Sequence, residues 1–497
     1  MSMRDAVIAA RRFGLGARRD DLRKIAADPR GWLVAQLAQE QPLPAPLRAL
    51  PGTADDQVAF FRWLRDYGAE ARTASRGSDA PASMMAGGTM ASRAAVNVEQ
   101  SYVKALLPRY AAAVEARFRT AAESDTPFRE RLVRFWSNHF VVSPAKSAAI
   151  ALPASYERDV ARRFVTGRFA DMLLAAEKHP AMLLFLDNAQ SIGPNSRWGR
   201  EPDRIPANAL GEKPSGLNEN LAREILELHT LGVDGGYGQA DVGALARVIT
   251  GWQIANPFRQ IKLKRFSNWT AEDFFHFNVD AHEPGPQAVL GKRYAQEGAD
   301  QGEAVLRDLA AHPSTARFIA TKLARHFAAD DPPASLVARL AARFLETAGD
   351  LREVALALVA SPEPWALAAA DSRTGKFQPP EDYVVSVQRA LGGPPLTGIQ
   401  LVTLLGEMGQ RPWWPSGPDG WKDIEAEWLA PDALWKRLEF ADIAGRAMAR
   451  ADIQPLALAE AVLGDALATD TRAAMLRAES PAQALALLLV APEFLRR

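Results

Sequence analysis

The chain has 497 residues, with 59 Lys+Arg balanced by 59 Asp+Glu, and no cysteine. The even charge argues against a general binder of nucleic acid or anionic membrane, which normally carries a basic excess. The missing thiols exclude a disulfide framework, a Cys-ligated zinc or iron–sulfur site and a cysteine nucleophile.

At the N-terminus the apolar stretch Ala6–Ala10 is too short for a signal-peptide core and ends at once in Arg11 and Arg12. Nowhere do about 18 apolar residues run without a charge, so no membrane span is expected, and a cytoplasmic location is the default. Residues 1–69 read as an N-terminal helical extension, interrupted by a proline-rich connection at 41–55. Residues 70–97 are small and polar without a periodic stripe, and predict a mobile loop. The main helical domain is expected over 98–497. Apolar residues recur there at three and four in Val103–Phe118, Phe128–Phe140, Tyr156–Ala176, Leu217–Leu231 and Val242–Trp252, and again from Ala304 to Leu391. Residues 187–217, rich in Pro, Gly and Asn, form a long loop, a length that is usually functional or disordered. The stretch 252–295 holds the only short strand candidates, Ile261–Lys264, Phe274–Phe277 and Val289–Leu290. The predicted fold is mainly α: a large multi-helical domain with a small β-hairpin insertion and long irregular loops.

No G-x-S-x-G elbow, Walker A loop or H-E-x-x-H helix is present. The richest segment is 214–232, with Asn218 as a candidate N-cap and Gly232 as the residue just past the helix end. At about 100° per residue, Asn220, Arg223, Glu224 and Glu227 share one face, while His229 points into the apolar arc. Two carboxylates one turn apart suit a cation or a general acid–base pair. They equally suit a solvated face with internal ion pairs. A second candidate is Asn138-His139, flanked by Phe135, Trp136 and Phe140. An imidazole among aromatics loses water, which lowers its pKa and makes it a neutral ligand or base. A third is His282-Glu283, beside Asp280 in a strand–turn–strand segment. His326, on a stripe with Ile319 and Leu323, reads as packed, and His179 and His312, each before a proline, as helix-boundary residues. Trp413, Trp414, Trp421, Trp428 and Trp435 crowd one region. Exposed, they would make stacking platforms for sugars, and buried, they are core.

Several of these stretches together resemble a large bacterial family, domain of unknown function 1800. They are RRFGLGARRDDL at 11–22, RERLVRFWSNHF at 129–140 and NENLAREILELHTLGVDGGYGQADVGALARVITGW at 218–252, followed by HEPGPQAVLGK at 282–292, HPSTARFIATKLARHFAADDPP at 312–333 and PSGPDGWKDIEAEWLAPDALWKRL at 415–438. The resemblance implies no established reaction or cofactor. It implies that members are often exported, beside a partner protein similar to the alkaline-phosphatase/sulfatase superfamily. The absence of a signal peptide and the His282-Glu283 pair, where the family more usually shows His-Asp, are departures.

Two expectations follow. The first is a hydrolase-like or metal-assisted enzyme whose cleft gathers Asn138, His139, Arg223, Glu224, Glu227, His229 and His282. His139, His229, His282 and Glu224 would ligate a divalent metal ion, and Trp136, Asn218 and Asn220 would assist binding. The second is a non-catalytic binding or assembly protein, using the loop 409–431 with Trp413, Trp414 and Trp421 for a glycan or a partner protein.

Overall fold

The structure is a computed structural model that describes residues 3–38, 41–63, 90–146, 149–205, 216–255, 269–370, 375–393, 395–449 and 453–497. Helices account for 64% of the chain, which makes the fold mainly α as expected. The helices that matter for the site are α1 (Met3–Ile8), α2 (Met90–Glu123), α3 (Pro127–His139), α4 (Phe169–Lys178), α5 (Asn220–Glu224), α6 (Pro313–Phe327) and α7 (Pro380–Leu391). Helix α2 begins inside the segment expected to be a loop. The rest of 70–97 lies outside the described residues.

The expected single hairpin is instead two small antiparallel sheets. Strand β1 (Trp252–Ile254) pairs with β2 (Phe275–Phe277), with Trp252 opposite Phe277. Strand β3 (Gln287–Val289) pairs with β4 (Lys292–Tyr294). The apolar pattern of Val242–Trp252 predicts helix to its end, but Gly251 takes φ +78° and turns the last residue into β1. The candidate strand Ile261–Lys264 falls outside the described residues. Among the described residues no helix is long and apolar enough to cross a membrane.

One buried cluster runs from Ala6 through α3, α6 and α7 to Phe494. Arginines lace its ends together: Arg11 Nη2 donates to the carbonyls of Glu493 at 2.6 Å and Phe494 at 2.9 Å. Arg131 Nε donates to Gly14 O at 2.6 Å, so α3 is tied to the turn after α1. Three segments widen into π turns: Ala9–Phe13, Glu157–Arg162 and Ile225–Thr230. The last continues α5, with Leu231 N bonded to Leu226 O at 3.0 Å. Gly232 then ends it at φ +86°, as its place after the periodic run predicts.

Candidate active site

Helices α3 and α6 present matching faces. On α3, Arg134, Phe135 and Asn138 share one side. On α6, Phe318, Lys322 and His326 recur at intervals of four. Between these faces, the start of α7 and the loop 409–428 lies a cavity of about 360 Å³. Asn138 anchors the loop. Its Nδ2 donates to Trp421 O at 2.9 Å, and its Oδ1 accepts from Trp421 N at 2.8 Å. Gly420 sits at φ +74°, and a Cβ there would come within 2.5 Å of Asn138 O. A glycine before Trp421 is therefore required by both the dihedral and the close approach.

Beneath the cavity, buried arginines and carboxylates interlock. Arg117 bridges Glu157 and Glu381, each at 2.8 Å, and Arg134 joins Glu381 at 2.8 Å. Arg131 meets Asp382 at 2.8 Å, and Arg497 bonds the same carboxylate. Such pairs fix geometry more than they add stability, because desolvation offsets most of the Coulomb gain.

The wall holds an imidazole–carboxylate pair. His326 Nδ1 bonds Asp423 Oδ2. Asp423 is also reached by Lys376 at 3.1 Å and Arg497 at 3.2 Å. Burial alone would raise the Asp423 carboxyl, but His326 and Lys376 pull it well below its usual range. An ionised carboxylate only accepts, so Nδ1 of His326 carries the proton, and in the neutral ring Nε2 keeps a free lone pair. That Nε2 is buried and has no hydrogen-bond partner. The same is true of three donors in the same wall: Arg134 Nη1, Trp421 Nε1 and Trp428 Nε1. Nearby, Lys322 Nζ donates to His139 Nδ1 at 2.9 Å.

The residues singled out from sequence divide between this cavity and other places. Asn138 and Trp421 line it, and His139 sits behind it, touching it through Lys322. His139 and His229 are both buried, their rings 6.3 Å apart. His139 Nε2 bonds the His229 carbonyl at 3.2 Å. His229 Nδ1 stands 2.8 Å from Oε1 of Glu177 on α4, off the line of a hydrogen bond. Trp136 is core, stacked on Phe140.

The polar face of α5 is largely spent on its neighbours. Arg223 donates to Gln239 at 2.9 Å, and Tyr237 donates to Glu227 at 3.3 Å. The Asn218 side chain accepts from Asn220 N at 2.8 Å, the bond an N-cap makes to the second residue after it, although the helix itself begins at Asn220. Glu224 stays half-exposed. Burial raises its carboxyl, His229 and Arg223 oppose this, and Glu227 and Asp419 add to it. Asp419 belongs to the cavity wall, whereas Glu224 is not part of the lining.

His282 is elsewhere, its Nδ1 bonded to Thr250 O at 3.0 Å. Glu283 accepts from Asn195 N at 2.8 Å and Asn195 Nδ2 at 2.6 Å, which pins the loop that follows Ile192. Among the described residues no three His, Asp or Glu side chains stand together as metal ligands. The set His139, His229, His282 and Glu224 is thus not assembled: His229 turns toward Glu177, and His282 folds onto its own turn.

The tryptophan loop also differs from a stacking surface. Trp413 is buried, donates Nε1–H to Glu157 at 2.9 Å and lies under Arg117. Trp414 is half-buried beneath Arg411, at 3.8 Å. The exposed tryptophan is Trp435, on the helix that follows the loop.

The family model described as "Protein of unknown function (DUF1800)" matches residues 8–496. The chain belongs to the DUF1800 family. No curated protein and no solved structure matches it. In this DUF1800 chain the cavity-lining residues that the sequence did not single out are Lys322, Asp423 and Arg134, and His326, packed against Phe135 and Phe327, lines it as well. The signal for Lys322 and His326 was the four-residue spacing Phe318–Lys322–His326, which marks a face of its own beside the packed stripe of Ile319 and Leu323. His179 and His312 do sit at helix boundaries, where each Nδ1 accepts the amide two residues on, at 3.1 Å.

Proposed function

We propose that this chain is an enzyme performing acid–base chemistry on a small molecule with an anionic group, bound between α3 and α6, with His326 as the base. The observation that carries this is the His326–Asp423 pair in the wall of a 360 Å³ cavity, with Nε2 unpartnered. Asp423 orients the ring and stabilises the imidazolium that forms when Nε2 takes a proton. Hydrolysis is the simplest such reaction, with the imidazole drawing a proton from water. The unpartnered donors Arg134 Nη1, Trp421 Nε1 and Trp428 Nε1 suit the oxygens of a carboxylate, sulfate or phosphate. Lys322 and Arg325 in the same wall add positive charge. This version needs no metal ion.

The test is a mixture of small carboxylates, sulfate esters and phosphate esters, incubated with the full chain and followed by NMR. Binding is read in parallel from tryptophan fluorescence. Consumption of one class should fall roughly 10²- to 10⁴-fold in His326→Gln, the usual contribution of a general base, while binding persists. Turnover that survives both His326→Gln and Asp423→Asn would sink the proposal.

A further inference from the structure

Lys322 lines the cavity from the middle of α6. No carboxylate of a described residue lies within ion-pair distance of its Nζ. Asp419 and Asp423 on the loop act on it from further off, and Arg325 on its own helix repels it. Its direct partner is His139 Nδ1, at 2.9 Å. The tautomer of that ring is fixed from behind: Nε2 faces the His229 carbonyl at 3.2 Å, and a carbonyl only accepts, so Nε2 carries the hydrogen. Nδ1 is then a lone pair pointed at the amine. Burial, with Lys322 and His229 adding to it, holds His139 well below its usual value, so the ring stays neutral. A desolvated ammonium with a neutral partner is poorly stabilised. Burial accordingly brings Lys322 down to about 8.

We infer that Lys322 is a nucleophilic amine that forms an imine with a carbonyl-bearing substrate in the cavity. This rests on reading the cavity as an active site, and it names the substrate class: a small aldehyde or ketone that carries an anionic group. The Nζ lone pair adds to the carbonyl carbon, and one nitrogen hydrogen passes to the former carbonyl oxygen by way of His139 Nδ1, which ends neutral. A proton from solvent then turns the carbinolamine hydroxyl into water, which departs as the C–O bond breaks; one hydrogen stays on nitrogen, so the product is the iminium cation. No oxidant or reductant is consumed. The iminium so formed is an electron sink, and His326, one turn along α6 in the same wall, is the group that would move a proton on the neighbouring carbon.

Glyoxylate, an aldehyde with a carboxylate, is the probe, with cyanoborohydride to trap the imine and peptide mass spectrometry to locate it. At pH 7.5 the Lys322 peptide should label at least about tenfold faster than any other lysine, because an amine of pKa near 8 is far less protonated than one near 10.4. The rate should rise with a midpoint near pH 8, and Lys322→Arg should lose the adduct while remaining folded by circular dichroism. His326→Gln should still label, so failure of the acid–base reading and failure of this one separate. Labelling of Lys322 no faster than surface lysines overturns the inference. So does full turnover in Lys322→Arg, which would make Lys322 a plain counter-ion for an anion.

Discussion

Two of the imidazole–carboxylate pairs among the described residues, His229–Glu177 and His326–Asp423, differ in everything except chemistry. His229 and Glu177 face each other across the packed interior, at 1% and 0% side-chain exposure. His326 and Asp423 sit in the wall of a cavity, and Asp423 is shared with Lys376 and Arg497. In the first pair nothing outside the core can reach either partner. In the second, the pair lies in the wall of a cavity, and the far nitrogen of the imidazole is buried without a hydrogen-bond partner. Histidine with a carboxylate is thus a structural device or a catalytic one according to what lies behind the second nitrogen.

Swapping the pairs' expected phenotypes is the strongest way to break this comparison. Glu177→Ala should cost roughly 3–5 kcal/mol of stability, the range for removing one partner of a buried pair. Urea unfolding checks it. Ligand binding in the cavity should be unchanged under conditions where the variant stays folded. If Glu177→Ala is nearly neutral in stability yet abolishes turnover, the two pairs have been assigned the wrong way round.

Much of the architecture follows from residues that the sequence displays openly. Period three-to-four apolar spacing marks α3, α6 and α7, because each buries a wide stripe. Gly232 marks the end of the α5 segment because its conformation excludes most other residues. The cavity was less visible for three physical reasons. His326 finds its partner 97 residues away in a loop, and no local pattern encodes that pairing. The Trp413 indole, the kind of group a ligand platform would use, is consumed by Glu157 and Arg117. The face Asn220–Glu227 carries plausible chemistry, but Gln239, Tyr237 and Glu219 satisfy Arg223 and Glu227 from neighbouring segments. Asn138 stands out in the sequence, and in the structure both ends of its amide are used by the Trp421 backbone. The histidine-rich motifs of the family stretches thus point near the cavity without picking out His326.

A third buried carboxylate sharpens what the cations around Asp423 accomplish. Asp56 is also buried, but its hydrogen bond from Ser155 and the weaker pulls of Arg109, at 3.7 Å, and Arg158 do not offset burial. Desolvation pushes its carboxyl up to about 7. The folded state therefore holds a proton that the unfolded chain releases near pH 4. Between those values the native state binds more protons than the unfolded one, so stability falls as pH rises from about 4 to about 7. Asp56→Asn should flatten that slope and raise the melting temperature at pH 8. An unchanged slope would mean that Asp56 stays ionised and that burial by itself does not separate it from Asp423.

The smallest effect belongs to His282, and it tests how far the site extends. His282 contributes one hydrogen bond, to Thr250 O, and an edge contact with Phe277. Its neighbour Glu283 is committed to Asn195, so neither side chain is placed to reach the α3/α6 cavity, whose lining includes neither. His282→Ala should therefore cost about 0.5–1.5 kcal/mol, the usual value of a single hydrogen bond. Binding and turnover should stay at the wild-type level. Differential scanning calorimetry with an NMR turnover assay measures both. A folded His282→Ala protein without activity would show that the turn after β2 closes over the substrate. The comparison between the core pair and the cavity pair would then need a third member.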